Sequence, residues 1–170
     1  MKRSLPSYGF TLVELIIVII IIAIVSITAV SRMSGRSSFE LYALQDQVIS
    51  VVRQVQVNRM QSNLDSSSPL DQDNFQLSAN NHCLGSPKSC SPDELSNARS
   101  DRVFDDRYRF RYQPNLINNT LVFDLLGNPT LAASAGVGIE ISEQANPGNR
   151  VWVCINEQGF VSAEIGGCGR

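Results

Sequence analysis

The sequence predicts an α+β fold in which one long N-terminal helix precedes a set of antiparallel β-strands. Apolar residues fill almost every position from Phe10 to Val30, and they then recur at three- and four-residue steps as far as Val55, which is the spacing of a helical face. From Arg107 onward, short stretches alternate apolar and polar residues, which is the spacing of half-buried strands. A helix followed by a run of strands is the order of elements in an α+β domain.

The apolar run from Phe10 to Val30 predicts a membrane-spanning helix. It contains a single charged residue, Glu14, in 21 positions, and a run of about 20 apolar residues can cross a bilayer core of about 30 Å. The nine residues before it are polar and basic, with Lys2 and Arg3. A secretory signal peptide and a plain signal anchor are the alternatives. A signal peptide fits less well because its apolar region has about 7–15 residues.

Glu14 is the residue of this run that needs an explanation. A carboxylate costs about 2.5–3.5 kcal/mol at the centre of a bilayer, and less toward the interface. Cleavage after Gly9 would free an ammonium group on Phe10, which is the natural partner for the carboxylate, on the same chain or on a neighbouring one. Among packed apolar helices such a pair would set the axial register between subunits, which is a hypothesis for this chain.

The segment Gly9-Phe10-Thr11-Leu12-Val13-Glu14, after a short basic leader, resembles the class III signal of type IV pilins and type II secretion pseudopilins. Together with the long helix, the resemblance covers about a third of the chain. It implies that a prepilin peptidase cleaves after Gly9, that Phe10 is N-methylated and that Glu14 drives assembly. The short leader and Phe10 resemble class IVa members. Ser31 stands where many pilins have a helix-kinking proline.

The resemblance implies the type IV pilin fold and divides the chain into four parts. These are a leader at 1–9, a transmembrane or filament-core helix half at 10–30, an amphipathic helix half at 31–64 and a periplasmic α+β region at 65–170. The expected partners are the prepilin peptidase, other pilins through the N-terminal helix and an inner-membrane assembly platform. We expect a single-pass inner-membrane protein before assembly and a location in the pilus at the cell surface afterwards. No cofactor is implied.

Among the roles in this family, the sequence favours a minor pilin that primes or tips a class IVa pilus. The stretch Phe123–Gly127 and the last predicted hairpin are similar to minor pilins of the GspH/FimT type, and the system is similar to the mannose-sensitive haemagglutinin pilus. The alternatives are a minor pseudopilin of a type II secretion system and a DNA-binding minor pilin of competence. The same N-terminal segment serves all three, so the sequence separates them poorly.

One helix is predicted from Phe10 to Asn63, with Ser34-Gly35 as its weakest point and a Ser-rich stretch at 65–69 as its end. The apolar positions of its second half predict packing on the chain's own sheet, because the alternative, a coiled coil, would last only about two heptads. The polar residues Arg53, Gln54, Gln56 and Arg59 fall between those positions. Residues 65–100 predict a loop region. Strands are predicted at Arg107–Tyr112, Thr120–Leu125, Thr130–Ala133, Val137–Ser142, Val151–Ile155 and Phe160–Ile165.

Four cysteines follow the apolar run, in the part of the chain that would leave the cytoplasm. An even number in that position predicts two disulfides, and sequence alone allows three pairings. Closure of short local loops favours Cys83–Cys90 and Cys154–Cys168. A metal site that uses His82 beside Cys83 is the alternative, but it needs reduced thiolates and a better ligand spacing. No metal is therefore expected.

The sequence predicts no enzymatic activity, because it contains no phosphate loop, nucleophile elbow or zinc-helix motif. Arg107, Arg109 and Arg111 share one face of a predicted strand and are the candidates for contact with DNA phosphates. The alternative is a solvated strand face balanced by nearby carboxylates. The formal net charge of −2 favours this alternative, so nucleic-acid binding is not expected. The carboxylates in question are Asp101, Asp105 and Asp106.

Overall fold

The computed structural model describes residues 11–33, 36–62, 75–93 and 99–169. The chain divides into two compact units, 1–39 and 40–170. Helix α1 spans Leu12–Met33, in the first unit, and helix α2 spans Arg36–Met60, of which the part from Glu40 onward belongs to the second unit. The leader, the predicted weak point at Ser34-Gly35 and the Ser-rich stretch at 65–69 lie outside the described residues.

Helix α2 forms one side of the core of the second unit. Its buried apolar residues recur at the predicted three- and four-residue steps and join strand residues such as Leu77, Phe110 and Ile139 in one hydrophobic cluster. The prediction that this stripe packs on the chain's own sheets is therefore confirmed. The helix ends at Met60, slightly before the predicted end at Asn63. The buried residues of the stripe are Leu41, Leu44, Val48, Val51, Val52 and Val55.

In the described residues the strands form two four-stranded antiparallel sheets, where the sequence predicted strands of one sheet. The first sheet has the order β3-β2-β1-β5 and the second β4-β6-β7-β8. The two are joined across β1 and β4: the Tyr112 hydroxyl donates to the Leu77 carbonyl at 2.7 Å, and the Phe110 N–H donates to the Asn81 carbonyl at 2.9 Å. The strands are β1 Gln76–Asn80, β2 Cys83–Gly85, β3 Arg102–Phe104, β4 Tyr108–Gln113, β5 Thr120–Val122, β6 Val137–Glu143, β7 Arg150–Ile155 and β8 Val161–Glu164.

The predicted loop region at 65–100 is wrong where it covers β1 and β2. The sequence did not predict β1 because this strand contains two polar residues, Gln76 and Ser78, which are both buried in the structure. The preference of a residue type for strands depends on its packing, so contacts in the folded protein can place polar residues in a strand. Strand β3, which begins just after this region, was also missed. It is three residues long and too short to show a period of two.

The strand predicted at Thr130–Ala133 is also wrong, because Leu131–Ala133 forms a short 3₁₀ helix. Thr130 alone keeps a strand-like contact: its N–H and its hydroxyl both donate to the Val122 carbonyl, at 2.9 Å and 3.0 Å. Leu131 then has φ of 57°, a left-handed conformation that no strand can continue. β5 likewise stops at Val122, short of the predicted Leu125.

The polar residues of α2 do not all face solvent. Gln45, Gln56 and Arg59 are buried, and each donates to backbone carbonyl groups of the strands or loops. The Gln56 Nε2 reaches the carbonyl oxygens of Gly127 at 2.9 Å and Gly159 at 2.8 Å, so one side chain ties two turns to the helix. The remaining bonds run from Gln45 Nε2 to the carbonyls of Trp152 at 2.7 Å and Glu164 at 3.1 Å, and from Arg59 Nε to that of Phe123 at 3.2 Å.

Both predicted disulfides are confirmed. Cys83–Cys90 has a Cα–Cα distance of 5.8 Å and Cys154–Cys168 one of 5.5 Å. The first ties the segment that follows β2 to Cys83, the first residue of β2, and the second ties the C-terminal residues to β7. Because Cys83 is bonded to Cys90, it is not a thiolate that could hold a metal beside His82.

Candidate functional site: the N-terminal helix

Thr11 and Glu14 form the N-terminal cap of α1. The Glu14 N–H donates to the Thr11 Oγ1 at 3.2 Å, and the Leu15 N–H donates to the Thr11 carbonyl at 3.2 Å. The spacing Thr-x-x-Glu is that of a capping box. Glu14 lies in the first helical turn, where the helix dipole favours a negative charge. The Thr11 hydroxyl thus caps the helix and the charge of Glu14 suits its first turn, and the Thr-x-x-Glu pattern is the sequence signal that could have revealed this. The assembly role of Glu14 stays a prediction.

The described side chains of α1 expose apolar surface on every side of the helix. Large hydrophobic residues from Leu12 to Val25 are 42–75% exposed in the isolated chain. The hydroxyl of Ser26 donates to the Ile22 carbonyl at 2.7 Å, so this polar group is satisfied within the helix. A helix that is hydrophobic all round is stable when lipid or other protein surrounds it.

Within the described ranges, no helix is long and apolar enough to cross a membrane.

The residues of the predicted processing site, Gly9 and Phe10, lie outside the described residues, as do the side chains at 27–30. The predicted transmembrane segment from Phe10 to Val30 stays a prediction, and so do the cleavage and methylation sites. Of the N-terminal residues singled out from the sequence, the structure describes Glu14 alone.

The structure separates Arg107 from the other two arginines of the predicted DNA-contacting face. Arg107 precedes β4, and its guanidinium group forms ion pairs with Asp105 at 2.8 Å and with Glu40 at 2.7 Å. The hydrogen bond from Arg107 lowers the pKa of Asp105. Arg109 and Arg111 lie within β4, and in the described residues the Nε of Arg109 is buried without a hydrogen-bond partner. Arg107 is thus held by two carboxylates, and Arg109 donates to the Gln144 side-chain oxygen at 3.2 Å, so neither guanidinium group is unengaged.

Sheet register adds Arg150 to this face, a residue that sequence reasoning missed. Arg109 pairs with Ser142 on β6, and Ser142 pairs with Arg150 on β7. Arg111 lies opposite Glu140, whose carboxylate therefore stands among the arginines. The order of strands in the sheet brings these residues together, and nothing local in the sequence indicates it.

Comparison with protein families identifies the prokaryotic N-terminal methylation motif at residues 6–30. This motif is the one found in type IV pilins and pseudopilins, and the match covers the N-terminal segment of the chain. It implies processing by prepilin peptidase, anchoring in the inner membrane and assembly with other pilins. A helix packed against antiparallel sheets is consistent with the pilin fold. No curated protein and no solved structure matches the chain.

Proposed function

We propose that this protein is a minor pilin that primes or tips the assembly of a class IVa type IV pilus. The observation that carries the proposal is α1, which exposes apolar side chains along its described length and has Glu14 in its first turn. Lipid covers this surface before assembly, and the α1 helices of neighbouring subunits cover it in the filament. Because lipid tails and packed helices are similarly apolar, the transfer between them is nearly neutral, which suits reversible assembly.

Processing at Gly9 supplies the second charge that the filament requires. Cleavage after Gly9 leaves a methylated amine on Phe10, and the cap formed by Thr11 holds the Glu14 backbone in the first helical turn. The carboxylate of Glu14 then lies within one turn of the helix start, close to its own amine or within reach of a neighbouring one. An ion pair in a dry helix bundle defines axial register, since a shifted subunit leaves both charges unpaired.

The second unit suits the periplasm and the filament surface. It has its own hydrophobic core and two disulfides. Disulfides form and persist in oxidising compartments such as the bacterial periplasm. Anchoring by the apolar helix α1, with the C-terminal region in the periplasm, accounts for the exposed apolar surface of α1 and for the two disulfides.

Mass spectrometry of filaments sheared from the parent cell tests the proposal. We expect this chain in trace amounts beside an abundant pilin, with an N-terminal peptide that begins at methylated Phe10. A Gly9→Val variant is the matched control: a bulky residue at the cleavage site should leave the uncleaved chain in the membrane fraction and absent from filaments.

Three outcomes would contradict parts of the proposal. Dominant abundance in the filament would make the chain the shaft subunit. Absence from pili together with co-purification with a type II secretion apparatus would favour the pseudopilin alternative. An intact leader on filament-borne chains would overturn the processing site.

A further inference from the structure

A cavity of about 290 Å³ lies where the β1–β2 hairpin, β3 and the turn before β5 meet. Its lining contains three amide side chains, one imidazole, one phenyl ring and a disulfide. None of the described lining residues is an aspartate, glutamate, lysine or arginine. The lining consists of Asn80, Asn81, Asn119, His82, Phe104 and the Cys83–Cys90 disulfide.

The backbone around the cavity is held in place by contacts from three directions. Asn80 pairs with Cys83 across the hairpin, so Asn81 and His82 form a two-residue turn. The Asn81 carbonyl accepts from the N–H of Phe110 at 2.9 Å, and the His82 carbonyl accepts from that of Asp105 at 3.0 Å. A wall fixed in this way loses little conformational entropy when a ligand binds.

Two of the three amide groups of the lining are available for a ligand, whereas the Asn80 Oδ1 accepts from the Ser78 hydroxyl at 3.4 Å. Among the described residues, the exposed amides of Asn81 and Asn119 have no hydrogen bond to another side chain or to the backbone. Each amide both donates and accepts. The Nδ1 of His82 lies 2.9 Å from the Tyr108 carbonyl, which only accepts, so Nδ1 carries the proton and Nε2 of the neutral ring is an acceptor.

Phe104 adds an apolar surface to this polar lining. Its ring is 52% exposed, although the neighbouring Val103 of the same short strand is buried. A purely apolar ligand would leave the amides unpaired, which is costly in a closed contact. A charged ligand would find no carboxylate, ammonium or guanidinium group of opposite charge among the described lining residues. The combination suits a neutral molecule with hydroxyl groups on its rim and C–H groups on one face.

We propose that this cavity binds one neutral sugar ring of a glycan. The C–H face of the sugar stacks on Phe104, and its hydroxyl groups exchange hydrogen bonds with the amides of Asn81 and Asn119. Pockets for drug-sized ligands measure about 300–1,000 Å³, so this smaller cavity has room for a single ring. The proposal rests on the cavity alone and goes beyond the pilus role: it stands or falls independently of how the chain is processed or assembled.

Saturation-transfer NMR on the full-length chain tests this site. The chain is held in a zwitterionic detergent without a sugar headgroup, because glycosidic detergents would compete. The probes are the methyl glycosides of glucose, galactose, mannose and N-acetylglucosamine, and we expect transfer to at least one. Phe104→Ala should weaken its binding about tenfold, or about 1.4 kcal/mol. Phe160→Ala is the matched control, since that ring is 65% exposed but does not line the cavity.

Asn119→Asp provides a second variant in case Phe104→Ala does not fold. Asn119 has φ of 51°, which aspartate tolerates, and the change replaces a donor with a charge. Weaker binding in this variant would support the site. Absence of transfer to all four glycosides, or transfer of unchanged strength in both cavity variants, would overturn the proposal.

Discussion

The two helices, α1 and α2, differ in what satisfies their side chains. α1 is apolar on every described side, and the hydrogen bonds of Glu14 and Ser26 stay within or next to the helix. α2 buries one apolar stripe in a core, and its buried polar residues bond to carbonyl groups of the strands and turns. α2 thus finds its partners within the chain. The large apolar side chains of α1 from Leu12 to Val25 are exposed.

This difference indicates where sequence changes should act. A change in α1 is expected to act on assembly and to leave the second unit folded. A change in the buried part of α2 is expected to act on folding. Two predictions test this division, and two more test contacts between the strands and loops of the second unit.

Replacing Glu14 should give the largest effect. Glu14→Ala removes one partner of the proposed ion pair and leaves the Phe10 amine unpaired among apolar helices, which costs about 3 kcal/mol and corresponds to about a hundredfold loss of incorporation. Membrane insertion should be unchanged. Immunoblots of sheared filaments against membranes measure both. Ser26→Ala is the control, because its hydroxyl bonds only to Ile22 of its own helix. Normal incorporation of Glu14→Ala would leave Glu14 as a helix cap alone.

Replacing Gln56 should destabilise the second unit. Gln56→Ala deprives the carbonyls of Gly127 and Gly159 of a donor, and loss of these bonds should lower the free energy of unfolding by about 2 kcal/mol. Urea titration followed through Trp152, the single tryptophan, measures it. Gln54→Ala, whose amide bonds only to Ser100 at 3.4 Å near the surface, should change little. Equal midpoints for the two variants would refute a structural role for Gln56.

Tyr112→Phe should cost about 1.5 kcal/mol, because it leaves the Leu77 carbonyl without its donor at the junction of the two sheets. Burial raises the pKa of Tyr112, so the hydroxyl stays protonated and donates even at alkaline pH. Tyr42→Phe is the matched control, since this ring is exposed at 43%. The same urea titration compares them, and a Tyr112→Phe chain as stable as the control would show that the Tyr112 hydroxyl adds nothing to the junction of the sheets.

Acid titration should show the smallest effect, at Asp101. Hydrogen bonds from Arg99 lower the pKa of this carboxyl, against partial desolvation, and the Ser86 hydroxyl adds to the shift. The ionised Asp101 therefore adds to the free energy of unfolding at pH values above the ordinary carboxyl pKa. This stabilisation is lost as the pH falls through the lower pKa of the folded state. Because the pair is partly exposed, we expect at most about 1 kcal/mol. Asp101→Asn should reduce the loss of unfolding free energy between neutral and acidic pH. An unchanged pH dependence would count against a stabilising ion pair.

The predictable parts of the structure are those encoded by local patterns. The apolar stripe of α2, the inner aromatic face of Tyr108, Phe110 and Tyr112, and both disulfides follow from spacing and loop length, and the structure contains all of them. β1 was missed because its polar residues are buried by contacts that are distant in sequence. The burial of Gln56 was not predicted for the same reason, because its two acceptors lie in turns that are distant in sequence.

For the candidate site, the sequence by itself determined the apolar run, the carboxylate at Glu14 and the methylation motif, because each is a pattern of adjacent residues. Only the tertiary structure decided that Arg107 is paired with Glu40 and Asp105, that Arg150 joins Arg109, and that Phe104 meets three asparagines at one cavity. Such groupings depend on strand order and register, which arise from packing of the whole core and leave no signature in any one segment.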